Sequence, residues 1–177
     1  MYGMKQMYSK TRPSMSSVLW TTMMNGYLWT IFTAISSRMN WYVPSKMYLS
    51  GACFFVRRSM FVSVGMFDET NFMYGEEDDI HYRLMKKYGT DMIYDTSLHY
   101  LHLITERIPT LGYQMKLLNS SIQLNEKNGF SREKTIRSYI QHANIIILRE
   151  AIREVMGKKS QTLQMYKMWK QKMLAML

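Results

Sequence analysis

An α/β layer followed by a helical C-terminal part is the fold class that the order of patterns along this chain predicts. Three observations carry it. A short apolar run, "ACFFV" at 52–56, reads as a strand buried on both faces. A segment "EEDDIHYRLMKKYG" at 76–89 reads as the clearest helix of the sequence. From Thr110 to the end the apolar spacing is helical throughout.

Taken in order, residues 1–16 are polar, with Lys, Arg, Ser and Pro13, and read as loop or linker. Residues 17–37 read as one helix, or two short ones broken near Asn25 and Gly26; Pro44 and Ser45 then interrupt the chain. "RRSMFVSVGMFDE" predicts a short helix stopped at Gly65. The acidic helix follows, with Ile80, Leu84, Met85 and Tyr88 at helical spacing, Lys86 and Lys87 in its last turn, and Gly89 where a left-handed cap belongs. "TDMIYD" and "SLHYLHLI" read as strands. Three helical stretches close the chain, the last of them, "QTLQMYKMWKQKMLAML", basic and amphipathic. Strands and helices alternate in the middle, but the strands are too few to make a comfortable sheet alone.

With 177 residues the chain is long enough for one domain with a core, and its 47% hydrophobic and 20% charged content excludes a disordered chain. The single cysteine, Cys53, excludes an internal disulfide framework and fits a reducing compartment. A net charge of +10 points to an anionic partner (nucleic acid, a phosphorylated ligand or a membrane surface), with a solvated basic face as the plain alternative. Nucleic acid is disfavoured, because no recognised motif is present and the best helix begins with four acids. Residues 1–16 lack the apolar core of a signal peptide. The apolar window 17–37 approaches the length of a membrane span, yet Asn25, Gly26 and several Thr suit a buried or interfacial helix instead.

Glu76, Glu77, Asp78 and Asp79 stand together in a basic chain. A helix N-terminus stabilises each nearby acid by about 0.3–1 kcal/mol, but four in a row repel one another, so the dipole accounts for the trend and not its extent. Calcium loops interleave their ligands with other residues, a spacing that "GEEDDI" lacks. A carboxylate held at the helix start inside a cleft could instead act as a general base, with the aromatic residues Phe72 and Tyr74 suited to stacking on a sugar ring.

The stretch from Tyr48 to His102 resembles the second half of a family 2 glycosyltransferase of the GT-A fold. Ser50, Gly51, Ala52, Arg57 and Arg58 match its first element; Gly65, Phe67, Asp68 and Glu69 its second; Phe72, Tyr74, Gly75, Glu76, Glu77, Asp79, Arg83 and Leu84 its third. The resemblance implies a partial GT-A (Rossmann-like nucleotide-diphospho-sugar transferase) fold over residues 1–130, with a motif core at 48–104, and a basic amphipathic tail at 131–177. It implies an inverting sugar transfer in which Glu77 is the catalytic base, although the family carries Asp there, one methylene shorter. Glu76, Tyr74, Gly75, Gly51 and Ala52 would bind the acceptor, Asp79 would fix the helix start, and His102 would contact metal or diphosphate. His99, three residues earlier, would face the other side of an extended strand. The family commonly continues with glycines after its histidine, where this chain has "LITERIP".

Such enzymes begin with a nucleotide-binding half ending in an Asp-x-Asp motif that holds a divalent cation, Mg or Mn. No Asp-x-Asp occurs in this chain and residues 1–49 contain no acid at all. The expectation is therefore an acceptor-side fragment, inactive alone: a truncated product, one part of a split enzyme completed by a separate N-terminal half, or a reading started at an internal Met. It would serve a nucleotide-sugar donor and a glycan or lipid-linked acceptor in cell-surface polysaccharide synthesis. The location expected is cytoplasmic and peripheral at the inner face of the plasma membrane, with the tail and the 17–37 segment on anionic lipid. The alternative is a non-catalytic binding or scaffold remnant of the same fold.

Overall fold

The computed structural model describes residues 5–9, 13–15, 25–39, 41–49, 53–70, 74–89, 93–95, 97, 100–104 and 109–177. In chain order they form β1 (Lys5–Ser9), β2 (Pro13–Met15), α1 (Gly26–Met39), β3 (Met47–Leu49), α2 (Arg58–Ser63), α3 (Glu76–Tyr88), β4 (Tyr100–Ile104), α4 (Leu111–Lys127), α5 (Arg132–Val155) and α6 (Leu163–Leu174).

Among the described residues the strands make two separate antiparallel pairs. β1 runs against β4, with Lys5 opposite Ile104 and Ser9 opposite Tyr100; β2 runs against β3, with Pro13 opposite Leu49 and Met15 opposite Met47. The expected loop at 1–16 thus contains two strands. Their composition gives no strand signal; partners some 90 and 30 residues away in the chain supply the ladder, the kind of tertiary override to which β propensity is most subject. The "ACFFV" strand is corrected in the opposite direction. Residues 53–56 are described and are not in a strand, and Phe55 is 90% exposed rather than buried on both faces. A strand requires a neighbour for its backbone groups, and among the described residues none pairs with this segment. Residues 93–95 of "TDMIYD" are likewise irregular, with Ile93 exposed.

Helix boundaries follow local chemistry more closely. α1 begins where Asn25 Oδ1 accepts from the backbone N–H of Tyr27 and of Leu28, both at 3.1 Å, a side-chain cap at the Asn25–Gly26 position singled out from the sequence; residues 17–24 lie outside the described residues. Thr110 caps α4 by accepting from Tyr113 N at 3.2 Å, and Ser131 caps α5 by accepting from Lys134 N at 3.4 Å. Ser160 Oγ accepts from Leu163 N at 3.1 Å at the entry to α6.

The main core lies among the helices. Leu118 and Ile122 of α4, Ile136, Tyr139, Ala143 and Ile146 of α5, and Tyr166, Trp169 and Met173 of α6 form one buried cluster. Burying such side chains stabilises by about 1.5–3 kcal/mol each, which outweighs the weak helix propensity of the β-branched residues in α5. The core therefore runs across the turn at residue 130, with the segments on either side sharing it. The apolar face of the basic tail is consumed here: Leu163, Tyr166, Trp169 and Met173 are buried, so that face is not available to a membrane.

α1 closes the core from one side. Trp29 sets its ring edge-on to Tyr139, with centroids 5.0 Å apart, and stacks on His142 at 5.0 Å. The approach is close because residue 26 is glycine: Gly26 N donates to Gln141 Oε1 at 2.7 Å, and a Cβ there would sit 1.8 Å from the Ser138 carbonyl oxygen. The opposite face of α1 leaves Leu28, Ile31, Ile35 and Met39 exposed. Among the described residues no helix is long and apolar enough to cross a membrane.

Candidate functional site

α3 starts from Gly75 at φ 101°, preceded by Tyr74 at φ 80°. Glycine adopts this left-handed region readily, whereas a tyrosine there is strained and needs its surroundings to hold it. Two contacts do so: Ser120 Oγ of α4 donates to the Tyr74 carbonyl, and the Tyr74 ring meets Tyr113 edge-on at 5.3 Å.

The helical turn then sends the four acids in different directions, since consecutive residues are separated by about 100° around the axis. Asp79 is fully buried and points to α4. Its Oδ2 accepts from Arg83 Nε at 2.8 Å and Nη2 at 2.5 Å, and its Oδ1 accepts from Lys127 Nζ at 3.0 Å. Arg83 continues to the Val64 carbonyl and, at 2.7 Å, to the Met66 carbonyl; Lys127 continues to Asp68 Oδ2 at 2.5 Å. Asp79 thus ties the start of α3 to α4 and to the turn after α2. The hydrogen bond from Lys127, with further ones from Thr70, holds the Asp68 carboxyl well below the usual carboxylate range. Burial disfavours the Lys127 charge, but hydrogen bonds to Asp68 and Asp79 outweigh it and leave the ammonium's pKa raised. Asp78 is buried on the side of the helical core, where its charge adds to burial in raising the Tyr139 phenol to about 12.

Glu77 goes the other way. With Ile80, His81, Leu84 and Tyr88 it forms the helix face that lines a cleft of about 970 Å³, whose remaining walls include Leu49, Phe54, Phe55, Val56, Arg57, Ile93, Tyr94 and Tyr100. The cleft is mostly apolar with a few polar groups, the usual make-up of a site that orients a ligand by a small number of contacts. His81 Nε2 donates to the Pro44 carbonyl at 3.0 Å, and burial holds the imidazole below its ordinary pKa, so a neutral ring stands one turn below Glu77. Tyr42 meets both His81 and Tyr94 edge-on, and burial pushes its phenol pKa upward.

Of the residues singled out from sequence, the structure brings Glu77 to the cleft with Arg57. Tyr74, Gly75 and Glu76 stand at the helix start but are not in its lining. Glu76 Oε2 is buried without a hydrogen-bond partner among the described residues. His102 lies in β4 opposite Met7 of β1. Gly51, Ala52 and His99 lie outside the described residues. His81 was missed; its signal was its place four residues after Glu77, on the same helix face.

A divalent cation would need several hard donors on one point. Among the described residues no three His, Cys, Asp or Glu side chains are so grouped, so the donor set present there does not fit a metal.

No family model and no solved structure matches the chain. A 55-residue segment is 49% identical to the N-acetylglucosaminyl-diphospho-decaprenol L-rhamnosyltransferase of Mycobacterium tuberculosis, in strain CDC 1551 / Oshkosh and equally in strain ATCC 25618 / H37Rv. That segment is 31% of this chain and 18% of the relative, so the match spans less than a fifth of the relative's length. Over that segment, the similarity points to a glycosyltransferase.

Proposed function

We propose that this chain forms the acceptor side of a family 2 glycosyltransferase with a partial GT-A fold, and that Glu77 is its general base. The observation that carries the reading is the division of labour on α3: Asp79 is bound to two cations, while Glu77 lines the cleft. The acceptor would be a glycan or a diphospho-lipid-linked sugar, and the donor a nucleotide sugar bound by a half that carries the Asp-x-Asp absent from these 177 residues.

In such a transfer the Glu77 carboxylate takes the proton of the acceptor hydroxyl as its oxygen bonds to the anomeric carbon. The bond from that carbon to the nucleoside diphosphate breaks on the opposite face, and the diphosphate leaves with the electron pair. The apolar walls would exclude water, which would otherwise compete as acceptor. Neutral His81 would neither repel the incoming hydroxyl's proton nor neutralise Glu77. The extra methylene of Glu, compared with Asp, would place the hydroxyl farther from the helix start.

The test is transfer of labelled sugar from a panel of nucleotide sugars to N-acetylglucosaminyl-diphospho-polyprenol, with this chain supplied together with a nucleotide-binding half. Glu77→Gln should lower the rate roughly 10²–10⁴-fold with unchanged circular dichroism. An unchanged rate would remove Glu77 from the chemistry. The make-up of the cleft, mostly apolar with a few polar groups, suits a second reading, an acceptor-binding module without turnover. That reading expects calorimetric binding of the same acceptor by the chain, with no transfer under any donor.

A further inference from the structure

The outer end of α5 presents a second surface that transfer chemistry does not use. Leu148, Ile152, Val155 and Met156 are 61, 51, 89 and 68% exposed, and their spacing places all four on one helix face. That face is opposite the one that buries Tyr139, Ala143 and Ile146. Continuing past α5, the chain turns at Gly157 and shows Lys158 and Lys159 to solvent before entering α6.

The exposed charges around this tip are mostly cationic. Glu150 is buried and accepts from Arg149 Nε at 3.0 Å, Arg153 Nη1 at 3.4 Å and Ser160 Oγ at 2.9 Å, so that it fixes the turn and offsets one of the two arginine charges, leaving the trio with a net positive charge. Arg149 and Arg153 border the apolar stripe on one side, both more than half exposed. Glu154, the other acid of this stretch, is turned toward the opposite side of the helix.

We propose that this helix-turn tip docks on a bilayer containing anionic phospholipid, with Leu148, Ile152, Val155 and Met156 entering the headgroup boundary and Arg149, Arg153, Lys158 and Lys159 meeting the lipid charges. A projecting apolar ridge bordered by cations matches an interface that is apolar at its centre and anionic at its rim. The tail helix cannot make this contact with its own apolar face, because that face is inside the core. This docking does not depend on the transfer reading, and neither fails with the other.

The experiment is co-sedimentation of the full chain with phosphatidylcholine vesicles, with and without phosphatidylglycerol. Binding is expected only with phosphatidylglycerol and should weaken with added salt. Lys158→Gln/Lys159→Gln should lower partitioning roughly 25-fold, at about fivefold per lysine near an anionic surface. Val155→Ser/Met156→Ser should lower it at least as far, without moving the thermal midpoint. Arg132→Gln/Lys172→Gln, which removes two cations from the ends of α5 and α6 remote from the turn, should leave it within about twofold. Equal loss in that last variant would mean diffuse attraction to a basic protein and would overturn the proposal. So would binding to phosphatidylcholine alone, or absence of binding. The same applies if Val155→Ser/Met156→Ser abolishes a dimer in sedimentation velocity while vesicle partitioning is unchanged, which would assign the tip to a second copy of the chain.

Discussion

Lys127 Nζ stands 3.0 Å from Asp79 Oδ1 and 2.5 Å from Asp68 Oδ2, so one ammonium at the end of α4 joins the first turn of α3 to the turn that follows α2. Through this junction the Asp79 side of α3 is tied to the end of α4. Glu77 points away from it.

Asp79→Asn should cost about 3 kcal/mol in urea unfolding. This is the low end of the range for breaking a buried ion pair, because Lys127 keeps part of its hydration. Lys127→Ala should cost less, since Arg83 remains on Asp79. Equal stability of Asp79→Asn and the parent would show that the junction carries nothing.

Glu77→Gln should leave the unfolding midpoint within the equivalent of about 0.5 kcal/mol, as befits a cleft-facing substitution outside the core. Paired with Asp79→Asn it separates the two acids: on the proposed reading the first change should affect transfer and the second folding. A large stability loss in Glu77→Gln would make it a structural residue.

Gly26→Ala should destabilise by about 2 kcal/mol, because the new methyl meets backbone at Ser138 and cannot be relieved by a side-chain rotation. Thermal melts would check this, and loss of Trp29 fluorescence shielding would show α1 lifting from α5. A neutral outcome would mean that α1 is free to slide.

Stability should fall as acid is added between pH 6.5 and about 4. Burial, then the nearby Arg149 charge, lowers His142 to about 4, while the unfolded chain retains a pKa near 6.5. In that interval the unfolded state binds the extra proton, so unfolding gains with falling pH. The contribution, about 3 kcal/mol, is whole above 6.5 and gone below 4. His81, also lowered by burial, acts with the same sign. Thr30 Oγ1, 2.7 Å from both the Gly26 carbonyl and His142 Nδ1, holds the neutral ring. His142→Gln should flatten the slope of stability against pH; an unchanged slope would locate the titration elsewhere.

Trp169→Ala should cost about 4 kcal/mol, whereas Trp169→Phe should cost about 1–2 kcal/mol. The indole Nε1 has no acceptor among the described residues, so the phenyl ring gives up volume and no hydrogen bond. Chemical denaturation of both variants decides it.

The helices and their ends were legible because capping is local: Asn25, Thr110 and Ser131 each bond to backbone groups two or three residues ahead, and the acids and lysines of α3 answer its own dipole. Of the strands, β4 was legible, since "SLHYLHLI" reads as a strand and Tyr100–Ile104 forms one; the others were not. Lys5–Ser9 has no apolar alternation to show, and its ladder partner lies at 100–104. "ACFFV" has the pattern of a buried strand, but its backbone finds no described partner and Phe55 is left in solvent.

The sequence by itself determined that four acids open a helix in a basic chain, and the order of motifs that suggested sugar transfer. Only the tertiary structure decided what each acid meets. Spacing along a helix sets the angle between side chains, but what each then meets depends on the elements packed around it. α4 brings Lys127 to Asp79, while the open side of α3 leaves Glu77 at the cleft. The same holds for the tail: its apolar face and its charges are both written in the sequence, and only packing against α4 and α5 turned that face inward and left the tip of α5 exposed.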